Sequence, residues 1–291
     1  MSKPAAVLAL PAKHASRAAF DRAAATFATS SVVHDFARER LLERLAYVRV
    51  NPAVVVDLGC ATGRGADELA RRFPAARVVA LDSSIAMLAA SAPAAGGNAP
   101  LRVGGDVERL PLKSGAAAFL FANLVLPWTR PDLFFREAAR VLEPGGLCTF
   151  ATVGPDTLME VRRAWAKADD RIHVHAAFEM HDLGDLATAA GLAEPVLDVE
   201  RIVLTYTDVA DLVRDLRASG GVNTAAGRRA TLTGTARWRA FAQALHAGRR
   251  GERFAVTVEL IFGMAWGSTA SRARSSGEIV VPLERLKRRP A

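Results

Sequence analysis

Two aspartates stand directly after two short apolar runs in the first third of the chain. Asp57 follows residues 54–56, and Asp82 follows residues 77–81. Runs of β-branched residues of this length predict buried parallel strands, and the carboxyl ends of such strands form the ligand-binding edge of an open α/β sheet. A carboxylate at that edge can accept hydrogen bonds from an amino group or from both hydroxyls of a ribose. The two aspartates therefore predict a nucleoside site.

The first predicted strand connects to the next helix through a turn of small residues, GCATGRG at 59–65. Glycine allows positive φ angles and a close approach of the backbone to a ligand. Dinucleotide sites read G-x-G-x-x-G and place a helix N-terminus against a pyrophosphate, whereas here Asp57 precedes the first glycine. Because the Asp57 carboxylate would repel an anion, the turn favours a cationic ligand with an amino group, such as S-adenosylmethionine.

The spacing D-x-G-x-A-x-G from Asp57 to Gly63 resembles the Asp-x-Gly-x-Gly-x-Gly loop of class I methyltransferases. Ala61 stands where that loop has its middle glycine, and we expect Ala61 to keep an ordinary φ with a slightly displaced backbone. The Leu-x-Pro-Gly-Gly stretch at 142–146 is a further signature of the class. The resemblance implies an α/β, Rossmann-like fold with a mostly parallel seven-stranded sheet, N-terminal lid helices and a helical insertion before the last strand.

The same resemblance implies S-adenosylmethionine as methyl donor, S-adenosylhomocysteine as product, and no metal. Asp106, after the third predicted strand, is placed to accept a hydrogen bond from the adenine amino group, and the backbone of Val107 is placed to donate one. The expected cofactor-binding residues are Asp57, Gly59, Cys60, Ala61, Gly63, Asp82, Ser83, Met87, Asp106, Val107 and Asn123.

The length and composition fit one main domain. With 291 residues and 51% hydrophobic content, the chain can bury a large core. We expect a disordered N-terminus at 1–16, lid helices at 17–50, a methyltransferase domain at 51–267 whose helical insertion spans about 207–251, and a basic flexible tail at 268–291.

Targeting and redox signals are weak throughout the sequence. Cys60 and Cys148 suggest neither a disulfide framework nor a metal site. Residues 5–12 make a poor signal peptide because Pro11 interrupts the apolar run, and no apolar run reaches the length of a membrane span. These features predict a cytoplasmic protein without a membrane partner.

The chain is basic, with 38 Lys and Arg against 30 Asp and Glu and a formal net charge of +8. Such a charge suits nucleic acid, a membrane surface, an acidic protein partner or a solvated basic face. The end of the fourth predicted strand, NLVLPW at 123–128, lacks the Asn/Asp-Pro-Pro-aromatic run of amino-directed nucleic-acid methyltransferases. Neither cysteine is placed for cytosine-C5 chemistry. We therefore expect no nucleic-acid substrate.

Short motifs through the chain narrow the resemblance. They are FDRAA at 20–24, GPDTL at 154–158, AW at 164–165, HVH at 173–175, MHDLGD at 180–185, LTY at 204–206 and LTG at 232–234. Together they are similar to the malonyl-acyl-carrier-protein O-methyltransferase family of biotin synthesis, which methylates the free carboxyl of a malonyl thioester so that fatty-acid synthesis extends it toward pimelate. The resemblance implies an acidic acyl carrier protein as partner and a basic docking patch at Arg228, Arg229 and Arg237.

Three positions depart from the family pattern in the expected acceptor region. Phe27 stands where Tyr is usual, Pro127 where Gln precedes the tryptophan, and Ala177 where Arg is frequent. Other groups must then hold the acceptor carboxylate, or the acceptor is not malonyl. The candidate acceptor-pocket residues are Phe27, Trp128, His175 and Arg201, with His173 and His181 as further donors. We expect no general base, because a carboxylate is already ionised at neutral pH.

Two other functions stay open at this level. A related methyltransferase would act on another small carboxylate, and an assembly-type relative would bind the same cofactor as a scaffold or as a protein arginine hydroxylase. Product analysis separates these functions from malonyl methylation, because only a malonyl-acyl-carrier-protein O-methyltransferase forms a methyl ester of the malonyl thioester together with S-adenosylhomocysteine.

Overall fold

The computed structural model describes residues 10–91, 98–229 and 231–269. Residues 1–9 of the expected disordered N-terminus and residues 270–291 of the expected tail lie outside these ranges. Seven strands form one sheet. They are β1 (Val54–Leu58), β2 (Arg77–Asp82), β3 (Leu101–Gly104), β4 (Ala117–Asn123), β5 (Leu142–Val153), β6 (Leu192–Tyr206) and β7 (Phe254–Gly267).

The strand order in the sheet is β3-β2-β1-β4-β5-β7-β6. Neighbouring strands from β3 to β5 are parallel, and β7 runs antiparallel to both β5 and β6. The order reverses at β1, since β2 and β3 lie on one side of it and β4 and β5 on the other. Open α/β sheets bind ligands at such a switch point. The expected α/β fold with a mostly parallel seven-stranded sheet is confirmed.

Helices cover both faces of this sheet. They are α1 (Lys13–Ser30), α2 (Val32–Arg44), α3 (Arg64–Arg72), α4 (Ile85–Ala90), α5 (Pro131–Val141), α6 (Met159–Trp165), α7 (Met180–Ala189), α8 (Val209–Ala218) and α9 (Thr235–His246). Helices α8 and α9 lie between β6 and β7, in the interval expected to be a helical insertion. None of the helices described is both long and apolar enough to cross a bilayer.

The core lies on both faces of the central strands. Phe119 and Phe121 of β4 belong to the apolar cluster under α2 and α3, whereas Leu120 and Ala122 pack on the opposite face under α5 and α7. Because successive strand residues point to opposite faces, a strand covered on both sides must be apolar at every position. This explains the uninterrupted apolar run at 117–122.

Helix α1 begins earlier than expected, at Lys13. The amide of Ala12 donates a hydrogen bond to the carbonyl of Thr224 at 2.9 Å, and the hydroxyls of Ser16 and Thr224 lie 2.9 Å apart. Contacts with a segment distant in sequence thus give residues 10–16 a defined backbone, contrary to the disorder expected for them. The local composition carries no sign of such long-range pairing.

Gly263 of β7 lies opposite Phe150 of β5 in the antiparallel pair and leaves space for the Phe150 ring. A Cβ at position 263 would lie 2.2 Å from Phe150 Cζ, and the ring is only 1% exposed, so it has no room to move away. We expect Gly263→Ala to lower the free energy of unfolding by about 1–3 kcal/mol, measured by urea denaturation.

The matched control is Gly184→Ala in the interior of α7. A Cβ there would make an ordinary contact of 3.5 Å with Leu197, and alanine favours a helix over glycine by about 0.5–1 kcal/mol. The free energy of unfolding should therefore rise. If both variants changed it in the same direction, the packing argument for Gly263 would be wrong.

Candidate active site

The glycine turn folds between the ends of β1 and β4. Gly59 has φ +71°, and a Cβ there would lie 2.6 Å from Val125 Cγ2. Gly65 lies in the first turn of α3, where a Cβ would lie 2.8 Å from Asp57 Oδ2. The missing side chains at these two positions therefore allow the turn, the helix and the aspartate to pack together.

Ala61 has a left-handed backbone with φ +47°, so the expectation of an ordinary φ is wrong. Its amide donates a hydrogen bond to Asp82 Oδ2 at 2.9 Å. A left-handed conformation costs a non-glycine residue roughly 1–2 kcal/mol, and a hydrogen bond to a charged group contributes about 1.5–3 kcal/mol. The Asp82 carboxylate is therefore sufficient to hold the turn in this conformation.

Asp57 is 2% exposed at the end of β1. Its carboxylate accepts a hydrogen bond from the amide of Ala66, at a helix end that favours negative charge. Burial and the nearby charge of Asp82 nevertheless raise the pKa of Asp57 to about 7. A bound cation would favour the ionised form, so the group is suited to an ammonium ligand.

Asp82 lies beside it at the end of β2. Asp82 Oδ1 accepts from the Ser84 amide at 2.7 Å, in addition to the bond from Ala61 at Oδ2. Burial raises the pKa of Asp82, although these amide bonds act against the rise. Each carboxylate oxygen has a second lone pair, so Asp82 can still accept from two ribose hydroxyls. The structure therefore brings the two predicted aspartates together.

Helix α1 lies across the expected adenine side of the site. Lys13 Nζ is 2.6 Å from Asp106 Oδ2 and 2.6 Å from Glu108 Oε2. Ser84 Oγ donates to Asp21 Oδ1 at 2.5 Å. These contacts join α1 to the loops after β2 and β3, which is the position that a lid would take.

Phe27 lies on the cofactor side and not in the acceptor pocket where we expected it. Phe27 packs on the fully buried Met87 and lines a small cavity of about 40 Å³ together with Asp57 and Cys60. Phe27 takes this position because the face of α1 that carries Ala23 and Phe27 packs against α4. Of the other expected cofactor residues, Val107 is buried in the core and Ser83 is exposed.

Asn123, at the end of β4, also lines the small cavity. Its Nδ2 donates to the carbonyl of His34 at 2.9 Å. Its Oδ1 is buried and has no hydrogen-bond partner within the described residues. Because an unpaired buried acceptor is unfavourable, this oxygen is available to a donor on a ligand. Asn123 therefore fits the role predicted for it.

A larger cavity of about 430 Å³ lies between the ends of β4 and β5 and the helices α8 and α9. Its volume falls in the range of roughly 300–1,000 Å³ typical of small-molecule sites. Trp128 and His175 line it, as expected. Pro127 and Ala177, two of the three departures from the family pattern, line it too. The apolar part of its wall includes Leu124, Val153, Leu158, Val161, Leu204, Val256 and Val258.

His175 has a defined tautomer. The amide of Thr224 donates to His175 Nε2 at 2.8 Å, so Nε2 is unprotonated and the neutral ring carries its proton on Nδ1. Burial lowers the pKa of His175, which favours this neutral form. The Trp128 ring contacts the imidazole edge-to-face, with 5.2 Å between centroids. His175 is therefore a fixed neutral donor in the wall of the large cavity.

An aromatic stack forms another part of this wall. Trp165 lies between His173, at 3.7 Å between ring centroids, and Phe241, at 4.1 Å. His173 Nε2 is 2.7 Å from Asp169 Oδ1, so this histidine is already paired. All three rings line the large cavity, which gives it a flat apolar surface.

Arg201 does not line the large cavity. From β6, its guanidinium binds Glu259 on β7, at 3.1 Å from Oε1, and Asp156 in the turn after β5. The expected role in the acceptor pocket therefore does not fit, because the register of β6 directs Arg201 toward these acids. His181 is exposed on α7.

Several residues that line the cavities were not predicted. They include His34, Arg217 and Asn223. The family motifs at 204–206 and 232–234 flank Arg217 and Asn223 in the sequence, and FDRAA at 20–24 precedes His34. None of these motifs indicates which side chains face a cavity. No group of three His, Cys, Asp or Glu residues suited to a metal occurs in the ranges that the structure describes.

Comparisons with known proteins agree with this geometry. Residues 56–150 match a family model described as a methyltransferase domain. The YcgJ protein of Bacillus subtilis has a similar fold, with a TM-score of 0.56 and 12% identity over 80% of this chain and 99% of that one. This likeness concerns the fold alone.

Two curated relatives are much more similar in sequence, and both carry the name malonyl-[acyl-carrier protein] O-methyltransferase. The protein of Gallionella capsiferriformans (strain ES-2) is 40% identical over 278 residues, which cover 92% of this chain and 95% of that relative. The protein of Laribacter hongkongensis (strain HLHK9) is 42% identical over 268 residues, with 89% and 90% covered. Since the identity extends over nearly the whole of both chains, the chain belongs to the malonyl-[acyl-carrier protein] O-methyltransferase family.

Proposed function

We propose that the protein transfers a methyl group from S-adenosylmethionine to the free carboxylate of a malonyl thioester carried by acyl carrier protein. The reaction would serve biotin synthesis in the cytoplasm. The observation that supports it most directly is the large cavity, which shares His34 with the small cavity beside Asp57 and has His175 as a neutral donor in an otherwise mainly apolar wall. The names of the relatives point to the same substrate.

The residues at the strand ends fit the cofactor. Asp82 would accept from the ribose hydroxyls, and Asp57 with Asn123 Oδ1 would receive the ammonium group of the methionine part. Both groups favour a donor, because Asp57 is a buried carboxylate with a raised pKa and Asn123 Oδ1 has no partner within the described ranges. When bound, S-adenosylmethionine supplies an electrophilic methyl group, and the carboxylate oxygen that takes it leaves the bonding pair on sulfur.

The protein has little chemistry to perform on the acceptor. A carboxylate is ionised at neutral pH and needs no base, so its position relative to the donor decides the rate. The apolar wall excludes water, which favours a reaction in which opposite charges cancel. Neutral His175 Nδ1–H can donate to the acyl group without neutralising the nucleophile.

The carrier would dock beside the opening of the large cavity. Arg228 and Arg229 follow Asn223 in sequence, and Arg237 precedes Trp238; Asn223 and Trp238 both line the cavity. Arg228 is exposed. Complementary charge of this kind guides an acidic partner mainly through the association rate.

The reaction is tested with labelled donor and malonyl-acyl-carrier protein. We expect a methyl ester of the malonyl thioester and an equal amount of S-adenosylhomocysteine. Acetyl-acyl-carrier protein is the matched control, because it lacks the free carboxylate and should receive no methyl group. Methylation of free malonate or of a succinyl thioester alone would favour another small carboxylate as acceptor, and turnover without a methyl ester would contradict the proposal.

The affinity for S-adenosylhomocysteine should depend on pH through Asp57. Its pKa is about 7, so the carboxylate is ionised above this value and loses its charge below it. We expect the dissociation constant to rise roughly tenfold from pH 7.5 to pH 6, measured by calorimetry. Asp57→Asn should bind weakly with little pH dependence. The same pH dependence in wild type and Asp57→Asn would show that another group is responsible.

Charge reversal at the basic patch should affect only the carrier-bound substrate. For Arg228→Glu/Arg229→Glu we expect the KM for malonyl-acyl-carrier protein to rise by roughly fivefold to tenfold, and less at high salt, with no change for a small malonyl thioester. Arg71→Glu/Arg72→Glu is the control, because these residues end α3 at the opposite edge of the sheet. Equal effects on both substrates, or equal effects of both variants, would rule out this docking surface.

A further inference from the structure

His34 lies where the two cavities meet. It is in the first turn of α2, and of the described residues it alone lines both the small cavity beside Asp57 and the large cavity beside Trp128. The Phe27 ring contacts its imidazole edge-to-face, with 4.9 Å between centroids. Its carbonyl accepts the hydrogen bond from Asn123 Nδ2, which fixes this turn of α2 to the end of β4.

The Nδ1 atom of His34 is buried without a hydrogen-bond partner in the part of the chain that the structure describes. An unpaired buried nitrogen is unfavourable for folding. Asn123, which binds the His34 carbonyl through Nδ2, likewise has a buried Oδ1 without a partner among the described residues. Two unpaired polar atoms on contacting residues, at the meeting point of two cavities, indicate a site for polar ligand groups and not a packing contact.

The environment of His34 also defines its charge. Burial lowers its pKa to about 4, so the ring is neutral at physiological pH. A protonated ring here would repel a sulfonium donor and would also weaken the nucleophile by neutralising it. A neutral N–H has neither effect, because it can hold one carboxylate oxygen while the other stays free to react.

We propose that His34 binds the acceptor, and that its Nδ1–H donates a hydrogen bond to the acceptor carboxylate. This inference rests on the proposed function, since it requires a carboxylate acceptor. His175 lines the large cavity but not the small one, and its Nε2 accepts a hydrogen bond from the Thr224 amide. His175 is therefore placed for the acyl part of the substrate, and His34 for the carboxylate that reacts.

Three variants identify the atom that acts. His34→Leu removes both nitrogens, His34→Asn places an amide near the position of Nδ1, and His34→Gln places one near that of Nε2. We expect His34→Leu to lower kcat/KM for the malonyl thioester by roughly tenfold to a hundredfold. His34→Asn should recover most of this loss and His34→Gln little of it. The dissociation constant for S-adenosylhomocysteine should change less than twofold.

His246→Leu is the matched control. His246 Nε2 is also buried without a partner among the described residues, but His246 lines neither cavity. Neither leucine variant should lower the melting temperature, because each removes an unpaired buried nitrogen, and only His34→Leu should lose activity. A merely structural role would instead lower activity and melting temperature together.

Three results would overturn the inference while leaving the proposed function intact. They are full activity of His34→Leu, a parallel loss of S-adenosylhomocysteine affinity, which would place the nitrogen on the cofactor, and equal activity of the asparagine and leucine variants. Failure of the wild-type protein to form the malonyl ester would overturn the proposed function, and this inference with it.

Discussion

The carboxylate of Asp57 lies buried under the first turn of α3, and the arrangement of the site follows from keeping a charge there. Burial disfavours the ionised form, and Asp82 on the adjacent strand adds repulsion. The Ala66 amide and the helix N-terminus offset part of this. Gly65 is required because a side-chain carbon would lie 2.8 Å from Asp57 Oδ2. A cationic ligand would stabilise the ionised carboxylate against burial and the repulsion from Asp82. The buried charge of Asp57 therefore favours a cationic ligand over a neutral or anionic one.

The two halves of the sheet form different parts of the site. The parallel strands β1, β2 and β4 end at the cofactor side, and the antiparallel pair of β6 and β7 supports the large cavity. Helix α1 contacts both sides of the site, since Lys13 binds Asp106 after β3 and Thr26 Oγ1 donates at 2.9 Å to the carbonyl of Ala218, at the end of the α8 helix that lines the large cavity. A movement of α1 would therefore change access to cofactor and acceptor together.

The predictions failed where side chains depend on contacts distant in sequence. Ala61 takes a left-handed backbone because Asp82 holds its amide, and Arg201 turns toward Glu259 because β6 and β7 pair in that register. Phe27 was assigned to the wrong cavity because the path of α1 is set by its contacts with α4 and α8. His34 was assigned only to the lid helices expected at 17–50, without a role at either cavity, since nothing near it in sequence indicates that two cavities meet there.

The sequence by itself determined the parallel strands, the glycine turn and the acids at the sheet edge. These features rest on local causes: the continuous apolar run of a strand that is buried on both faces, the steric freedom of glycine, and the rule that parallel strands end at one edge. Only the tertiary structure decided the acceptor cavity. Its wall combines residues from Thr29 to Val258, and their meeting depends on how an inserted antiparallel strand and two helices pack, for which no local pattern exists.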